Sequence, residues 1–237
     1  MAVAVLHTAL LLLLPARELR PGLSGTARSF DQDGFVYIPS LLPSDAFDKV
    51  QRECRSYRSR LKPERNSIAN GRLGHVLDSR SVAHQTFLTD TMSKRLQSLL
   101  GMDDPFVPSE FPIELRHYPH SSGMQWHQDD MLYTQPQCEF VFTVDNDSDS
   151  FTEWIDAQNC TSSVWTVPNS LLAIRAGATG PTHRVTPVTR GQRTILKFVY
   201  TTGGEKLPDF YAHIDSFPGH RASTKQSTRR QRAKWGR

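Results

Sequence analysis

Residues 193–202, RTILKFVYTT, are rich in the β-branched and aromatic residues that favour extended backbone. Four more stretches of this texture occur from residue 112 onward: PIELRHY (112–118), EFVFTVD (139–145), SSVWTVP (162–168) and SLLAIRA (170–176). Clusters of Pro, Gly, Asn and Asp separate them, and no helical pattern alternates with them. This arrangement predicts an antiparallel sandwich or jelly roll rather than a doubly wound parallel sheet.

Helices are predicted before these strands. A short strand at Phe35–Ile38 is followed by apolar residues at helical spacing, with Ser44 as the expected N-cap. A second helix is predicted over Asp90–Leu100, ended by Gly101. The predicted fold class is therefore mainly β (α+β), with N-terminal helices that support the strands.

Positive charge is concentrated at the C-terminal end. The 237 residues include 28 Lys and Arg against 24 Asp and Glu, and seven of the basic residues follow residue 219, where no acid occurs. We therefore predict one domain over residues 26–205 and a basic, disordered tail over 206–237. The tail is expected to contact an acidic partner or only to aid solubility, and the folded part carries no strong nucleic-acid signal.

The N-terminal end carries a charge-free apolar run over residues 2–15. This run is too short to span a bilayer, which needs about 20 apolar residues, but it fits the core of a signal peptide. Residues 1–25 are therefore interpreted as a targeting leader or a disordered segment. Sequons at Asn146 and Asn159 are compatible with the secretory pathway; an organelle-targeted or cytoplasmic protein is the alternative.

The stretch MQWHQDDMLY (124–133) places an imidazole and a carboxylate two residues apart. On a strand, His127 and Asp129 project from one face, and Asp130 is expected to lie elsewhere, at the surface. With His183 downstream they make two histidines and one carboxylate, the facial triad of non-haem Fe(II) enzymes. The spacing alone is also compatible with ordinary surface or core histidines.

Arg193 opens the apolar stretch RTILKFVY. A buried arginine is unfavourable without an anionic partner, and its guanidinium suits a carboxylate. A dicarboxylate could therefore bind a metal at one end and Arg193 at the other; the alternative is that Arg193 caps the strand at the surface. Alternation places Lys197 on the same face, which predicts that part of this strand is open to solvent.

HQD (127–129) and HRVTPVTRGQR (183–193) together resemble the Fe(II)- and 2-oxoglutarate-dependent dioxygenases, near their prolyl hydroxylase-like branch. DGFVYIPSLL (33–42) is similar to the opening of the phytanoyl-CoA dioxygenase-like branch. The resemblance covers about residues 30–203 and implies a double-stranded β-helix. It implies an enzyme that uses Fe(II), 2-oxoglutarate and O2, releases succinate and CO2, and is supported by ascorbate as reductant.

Carried onto this chain, the resemblance implies that His127, Asp129 and His183 hold Fe(II). It implies that Arg193 binds the distal carboxylate of 2-oxoglutarate. Tyr118 matches a tyrosine that often contacts this co-substrate, although a simple packing role explains it equally well.

The identity of the substrate is left open by the sequence. The expected reaction is hydroxylation of a prolyl or other residue in a polypeptide, or of a small molecule. A deep apolar pocket would favour the small molecule, and an open groove beside the metal would favour the peptide. The alternative function is a non-catalytic jelly-roll module that binds a metal or a carbohydrate.

Overall fold

The computed structural model describes residues 27–65 and 68–218, so the expected leader and most of the basic tail lie outside the described residues. Within these ranges the helices are α1 (Ala27–Asp33), α2 (Ser44–Ser56), α3 (Val82–Phe87), α4 (Asp90–Leu100) and α5 (Phe210–Ser216), with a 3-10 turn at Arg58–Arg60. The strands are β1 (Phe35–Ile38), β2 (Lys62–Pro63), β3 (Ala69–Asn70), β4 (Leu73–Val76), β5 (Val107–Pro108), β6 (Glu114–Tyr118), β7 (Gly123–His127), β8 (Gln137–Asn146), β9 (Thr152–Ile155), β10 (Thr161–Val164), β11 (Leu171–Arg175), β12 (His183–Val185) and β13 (Arg193–Thr201). None of the helices in the described ranges combines the length and the apolar character needed to cross a bilayer.

The strands form two antiparallel sheets. The major sheet has the order β1-β11-β8-β13-β6-β4-β2, with β5 paired to the end of β13. The minor sheet has the order β10-β9-β12-β7-β3. The two sheets enclose a barrel-like interior, and the predicted jelly roll, a double-stranded β-helix with supporting N-terminal helices, is confirmed.

The largest hydrophobic core lies outside this barrel, between the major sheet and the helices. Alternate side chains of β6, β8 and β13 point outward and pack against apolar residues of α2, α3 and α4. The sheet contributes Leu115, Phe140, Phe142, Leu196 and Phe198, and the helices contribute Val50, Phe87 and Leu96. The helices therefore bury one face of the major sheet and leave its other face to line the barrel.

An aromatic stack joins the two sheets inside the barrel. Phe35 on β1 lies flat against Trp154 on β9, with ring centroids 4.0 Å apart and an interplanar angle of 8°. Val164, Leu172 and Ile174 complete this cluster. Trp154 is thus a packing residue at the edge of the barrel interior.

The helix boundaries agree with the sequence except at one cap. The helix over Asp90–Leu100 is confirmed, and Gly101 ends it in the left-handed region with φ 65°. Ser44, however, is the first residue of α2 rather than its N-cap. Pro43 occupies the cap position, and no side chain caps this helix.

The folded unit continues past residue 205, so the domain boundary predicted there is too early. Helix α5 (Phe210–Ser216) packs on the body through the buried side chains of Phe210 and Ile214, and Phe217 is buried just after it. These apolar residues recur at helical spacing within an otherwise polar segment. The boundary was predicted too early because the seven basic residues after residue 219 made the whole segment from 206 onward look like a charged tail.

Replacing Phe198 with alanine should destabilise the protein strongly. The ring is fully buried and stacks between Phe87 and Phe140, with centroid distances of 4.8 and 5.4 Å. Loss of a buried phenylalanine typically costs about 3–5 kcal/mol of unfolding free energy. Urea denaturation measures the change. Phe151→Ala is the matched control, since Phe151 is 41% exposed and its loss should change the free energy by less than about 0.5 kcal/mol.

Candidate active site

The two histidines predicted from the sequence lie directly opposite each other. Strands β7 and β12 pair antiparallel, and the register places His183 across from His127. Side chains at directly opposed positions are neighbours on one face of a sheet. Their imidazole centroids are 4.2 Å apart.

A β-bulge in β7 orients His127 toward the barrel interior. The next register pair is Val185 with Met124, so β7 has one more residue than β12 between the two pairs. The extra residue breaks the alternation of faces. Gln125 and Trp126 are consequently both exposed, whereas Met124 and His127 both line the internal cavity.

Asp129 reaches the histidines from the turn after β7. Its carbonyl accepts the Gly177 N–H at 2.8 Å, and the side-chain amide of Gln128 donates to the Gly180 carbonyl at 2.8 Å. These contacts fix the turn against the loop between β11 and β12. Asp130 points outward, with 77% of its side chain exposed, as the sequence predicted.

The resulting cluster has the donor atoms of a metal site. Asp129 Oδ1 lies 3.7 Å from His127 Nε2, and Oδ2 lies 3.6 Å from His183 Nε2. One ligand atom from each of the three residues can be chosen so that all lie within 4.8 Å of one another. The structure therefore brings together the three ligands predicted from the sequence.

Hydrogen bonds leave the Nε2 atoms of both rings free for a metal. His127 Nδ1 lies 2.8 Å from the Gln125 carbonyl, and His183 Nδ1 lies 3.1 Å from the Pro181 carbonyl. A carbonyl only accepts, so each Nδ1 carries the proton and each Nε2 keeps its lone pair. Burial, assisted by His183, lowers the pKa of His127 to about 4, so this ring is neutral at pH 7. Burial alone would raise the pKa of Asp129, but His183 and Lys197 outweigh it and lower that pKa.

Arg193 lies inside the barrel and not at the surface. Its side chain lines the same cavity as the three ligands, and the residue is 1% exposed. Nη1 donates to Thr152 Oγ1 at 3.0 Å, while Nε has no hydrogen-bond partner. Burial lowers the pKa of Arg193, and among the described residues no carboxylate lies within 4 Å of its nitrogens. This guanidinium is a buried cation with unused donors.

Tyr118 lines the cavity beside Arg193. The two residues are opposed in the register of β6 and β13, and Arg193 Cζ lies 5.9 Å from the tyrosine ring. The phenol oxygen accepts a hydrogen bond from Arg72 Nη1 at 3.0 Å. Tyr118 is therefore a packed aromatic residue that also forms part of the cavity wall, and a contact with the co-substrate stays a prediction.

Lys197 is mostly buried, so the expectation that its part of the strand is open to solvent is wrong. Its side chain is 12% exposed and its Nζ lies 2.5 Å from Glu139 Oε2, inside the cavity. Strand β13 is central, between β6 and β8, and its inner face lines the barrel, so the Lys197 side chain is largely shielded from bulk water. Burial and the nearby Asp129 raise the pKa of Glu139 to about 8.

A second ion pair on the inner face was not predicted. Arg116 Nη2 lies 2.6 Å from Glu114 Oε2, and both residues belong to β6. A third pair, Arg72 Nη2 with Glu64 Oε2 at 2.6 Å, lies next to it. The alternation in PIELRHY does signal one polar face at Glu114 and Arg116, but a polar face normally indicates solvent. Here that face is the lining of the barrel.

Comparison with solved structures shows the same fold in several oxygenases. A prolyl-4-hydroxylase from Pseudomonas putida has 19% sequence identity and a TM-score of 0.61, covering 77% of this chain and 100% of its own. SnoN, a non-haem alpha-ketoglutarate-dependent epimerase from nogalamycin biosynthesis, has 13% identity and a TM-score of 0.64, covering 85% and 91%. HygX from Streptomyces hygroscopicus, solved with nickel, 2-oxoglutarate and hygromycin B, has 13% identity and a TM-score of 0.53, covering 73% and 84%. No curated protein matches the sequence.

The family model for phytanoyl-CoA dioxygenase (PhyH) matches residues 30–154, more than half of the chain. The matched range contains His127 and Asp129 and ends before His183 and Arg193, which the fold brings to the same cavity. Fold, ligand cluster and family model agree on one class of enzyme. The chain belongs to the phytanoyl-CoA dioxygenase family and is an oxygenase of the Fe(II)- and 2-oxoglutarate-dependent type.

Proposed function

We propose that this protein hydroxylates a small organic molecule. The reaction consumes one O2 and one 2-oxoglutarate for each C–H bond that becomes C–OH, and it releases succinate and CO2. One observation carries the proposal: the cluster of His127, Asp129 and His183 lines one internal cavity with Arg193, whose guanidinium has no carboxylate partner among the described residues.

Three protein ligands on one side of a metal leave positions for co-substrate and O2. His127 and His183 offer their Nε2 atoms, and Asp129 offers the anionic oxygen that partly balances a dication. Bound Fe(II) would supply the activation of O2 that the side chains cannot perform themselves. The hydrogen bonds to the Gln125 and Pro181 carbonyls hold both rings in the tautomer that ligation requires.

Arg193 is the group we assign to the distal carboxylate of 2-oxoglutarate. A buried guanidinium without a carboxylate partner is unfavourable, and an anionic ligand would complete its interactions. Thr152 holds Nη1 in place, and Tyr118 closes this end of the cavity. Ascorbate is proposed as the reductant that keeps the iron in the ferrous state.

The position of the site between the two sheets favours a small molecule over a polypeptide. The cavity lies between the two sheets, and Phe111 and Phe217 lie over the charged residues at one end. A folded polypeptide would need an open groove that leads to the ligands. The binding-module alternative receives no support from a specific feature, since the three ligands and Arg193 all face one cavity.

Asp129→Asn should abolish tight metal binding. Residues that only orient metal ligands change affinity by about 10- to 100-fold, so loss of the anionic ligand itself should weaken Fe(II) binding by more than about 100-fold. Anaerobic titration with Fe(II) measures the dissociation constant, and O2-dependent succinate formation should disappear with it. Asp130→Asn is the matched control, because Asp130 is the adjacent carboxylate and points into solvent. Equal losses in both variants would contradict the assignment.

Arg193→Met should weaken 2-oxoglutarate binding and leave the metal in place. Hydrogen bonds to charged groups contribute about 1.5–3 kcal/mol, so the dissociation constant should rise by roughly 10- to 150-fold by that estimate. Calorimetric titration of the Mn(II) form with 2-oxoglutarate gives the value. Arg190→Met serves as control, since that side chain is 86% exposed. Unchanged affinity in Arg193→Met would refute the role of this residue.

We also propose that the chain passes through the secretory pathway. Of its two sequons, Asn159 lies in an exposed turn, whereas Asn146 is buried and its amide donates to the Thr166 carbonyl at 2.8 Å. A bulky glycan can be carried only by an asparagine at the surface of the folded protein.

Thr161→Ala, which removes the Asn159 sequon, should therefore abolish glycosylation of protein expressed with its own N-terminus in secretory cells. Ser148→Ala, which removes the Asn146 sequon, should have no effect. Mobility before and after enzymatic removal of N-glycans distinguishes the two. Wild-type protein without any glycan would count against this location.

A further inference from the structure

Four ionisable side chains line the inner face of the major sheet next to the metal ligands. Glu114 and Arg116 on β6, Glu139 on β8 and Lys197 on β13 form two buried ion pairs with distances of 2.6 and 2.5 Å. Burying such pairs contributes little to stability and often costs more than apolar residues of the same size. Their presence in the interior therefore points to a role in binding.

These charges lie at the opposite end of the cavity from Arg193. Arg193 and Lys197 are four residues apart on β13 and both line the cavity, which separates them by roughly 13 Å along the strand. In the register of β6 and β13, Arg193 lies opposite Tyr118, whereas Lys197 lies opposite Glu114. The cavity thus has an Arg193 end and a charged end.

Arg116 has a donor without a partner. Its Nη2 contacts Glu114, but its buried Nε has no hydrogen-bond acceptor. Buried polar groups in proteins nearly always have a partner, which is a protein group, water or ligand. Arg116 and Arg193 therefore each keep a buried Nε–H available to an acceptor, at the two ends of one cavity.

Aromatic rings cover the charged end. Phe217, which follows α5, lies over Arg116 with its ring centroid 5.4 Å from Cζ, and Phe111 lies 5.8 Å from Lys197 Nζ. Gly74 makes this cover possible, because a Cβ there would lie 2.5 Å from the Phe217 ring. A ligand at this end is shielded from water, which strengthens its ionic contacts.

We propose that the charged end is the subsite for the molecule to be oxidised, and that Arg116, with Lys197, binds a carboxylate of a small polar substrate. A planar carboxylate matches the guanidinium of Arg116 and the ammonium donors of Lys197 that Glu139 leaves unused. The inference rests on the proposed function, since Arg193 must hold 2-oxoglutarate at the other end. It assigns Arg116 as a residue that determines substrate specificity, and it makes a long apolar substrate without an acidic group unsuitable for this site.

The test uses the full-length Mn(II) protein saturated with 2-oxoglutarate, so that the Arg193 end is filled. Acetate, benzoate and L-valine are titrated by calorimetry, each beside its neutral amide: acetamide, benzamide and L-valinamide. At least one acid should bind, and its amide should bind about tenfold more weakly or worse, because a charged hydrogen bond is lost. Binding of L-valinamide in preference to L-valine would instead indicate recognition of an ammonium group by the carboxylates, and would overturn the proposal.

Arg116→Met should weaken binding of the acid by about tenfold or more, while 2-oxoglutarate affinity stays within about twofold because that site is distant. Arg190→Met is the matched control and should change neither. Since Arg116→Met leaves Glu114 buried without its partner, the double variant Arg116→Met with Glu114→Gln is measured as well. Its thermal unfolding and its 2-oxoglutarate binding report whether the fold is intact.

The outcomes separate this inference from the proposed function. Wild-type protein that fails to bind 2-oxoglutarate would remove the proposed function and this inference together. Normal 2-oxoglutarate binding with no binding of any acid, or acid binding that survives in both Arg116 variants, would overturn this inference alone. If Arg116→Met lost 2-oxoglutarate affinity and Arg193→Met kept it, the co-substrate would bind at the Arg116 end, and this inference would be overturned.

Discussion

Burial of the outer face of the major sheet is the constraint on which the other features depend. Leu196 and Phe198 on β13, with their neighbours on β6 and β8, pack against the helices and form the largest core. Hydrophobic burial is the dominant favourable term in folding, and here most of it comes from outside the barrel. The inner face of the same strands is therefore free to carry Arg193, Lys197 and Arg116.

The metal centre depends on register in the minor sheet. Pairing of β7 with β12 sets His127 against His183, and the bulge in β7 directs His127 inward. A slip of one residue would turn each side chain to the other face of the sheet. The stack of Phe35 on Trp154 ties this sheet to the edge strand β1 of the major one.

Much of this architecture follows from local patterns in the sequence. Alternation and turn residues predicted the strands. The spacing of His127, Asp129 and His183 was compatible with a ligand cluster, and the resemblance to Fe(II)- and 2-oxoglutarate-dependent dioxygenases implied it. The environment of Lys197 and the pairing of Arg116 could not be predicted, because a polar strand face looks the same whether it meets solvent or a closed cavity. The packing of α5 was missed for a related reason, since the charge of the tail obscured the apolar spacing of Phe210 and Ile214.

The two candidate histidine ligands and the cations that line the cavity lie on different sheets. His127 and His183 are on strands of the minor sheet, while Arg193, Lys197 and Arg116 are on the major sheet. On the proposed assignments, substitutions at inward positions of β6 would alter which molecule is accepted without touching the strands that carry the two candidate histidine ligands. Such a separation would let a lineage diversify its substrates while the candidate metal centre stays unchanged.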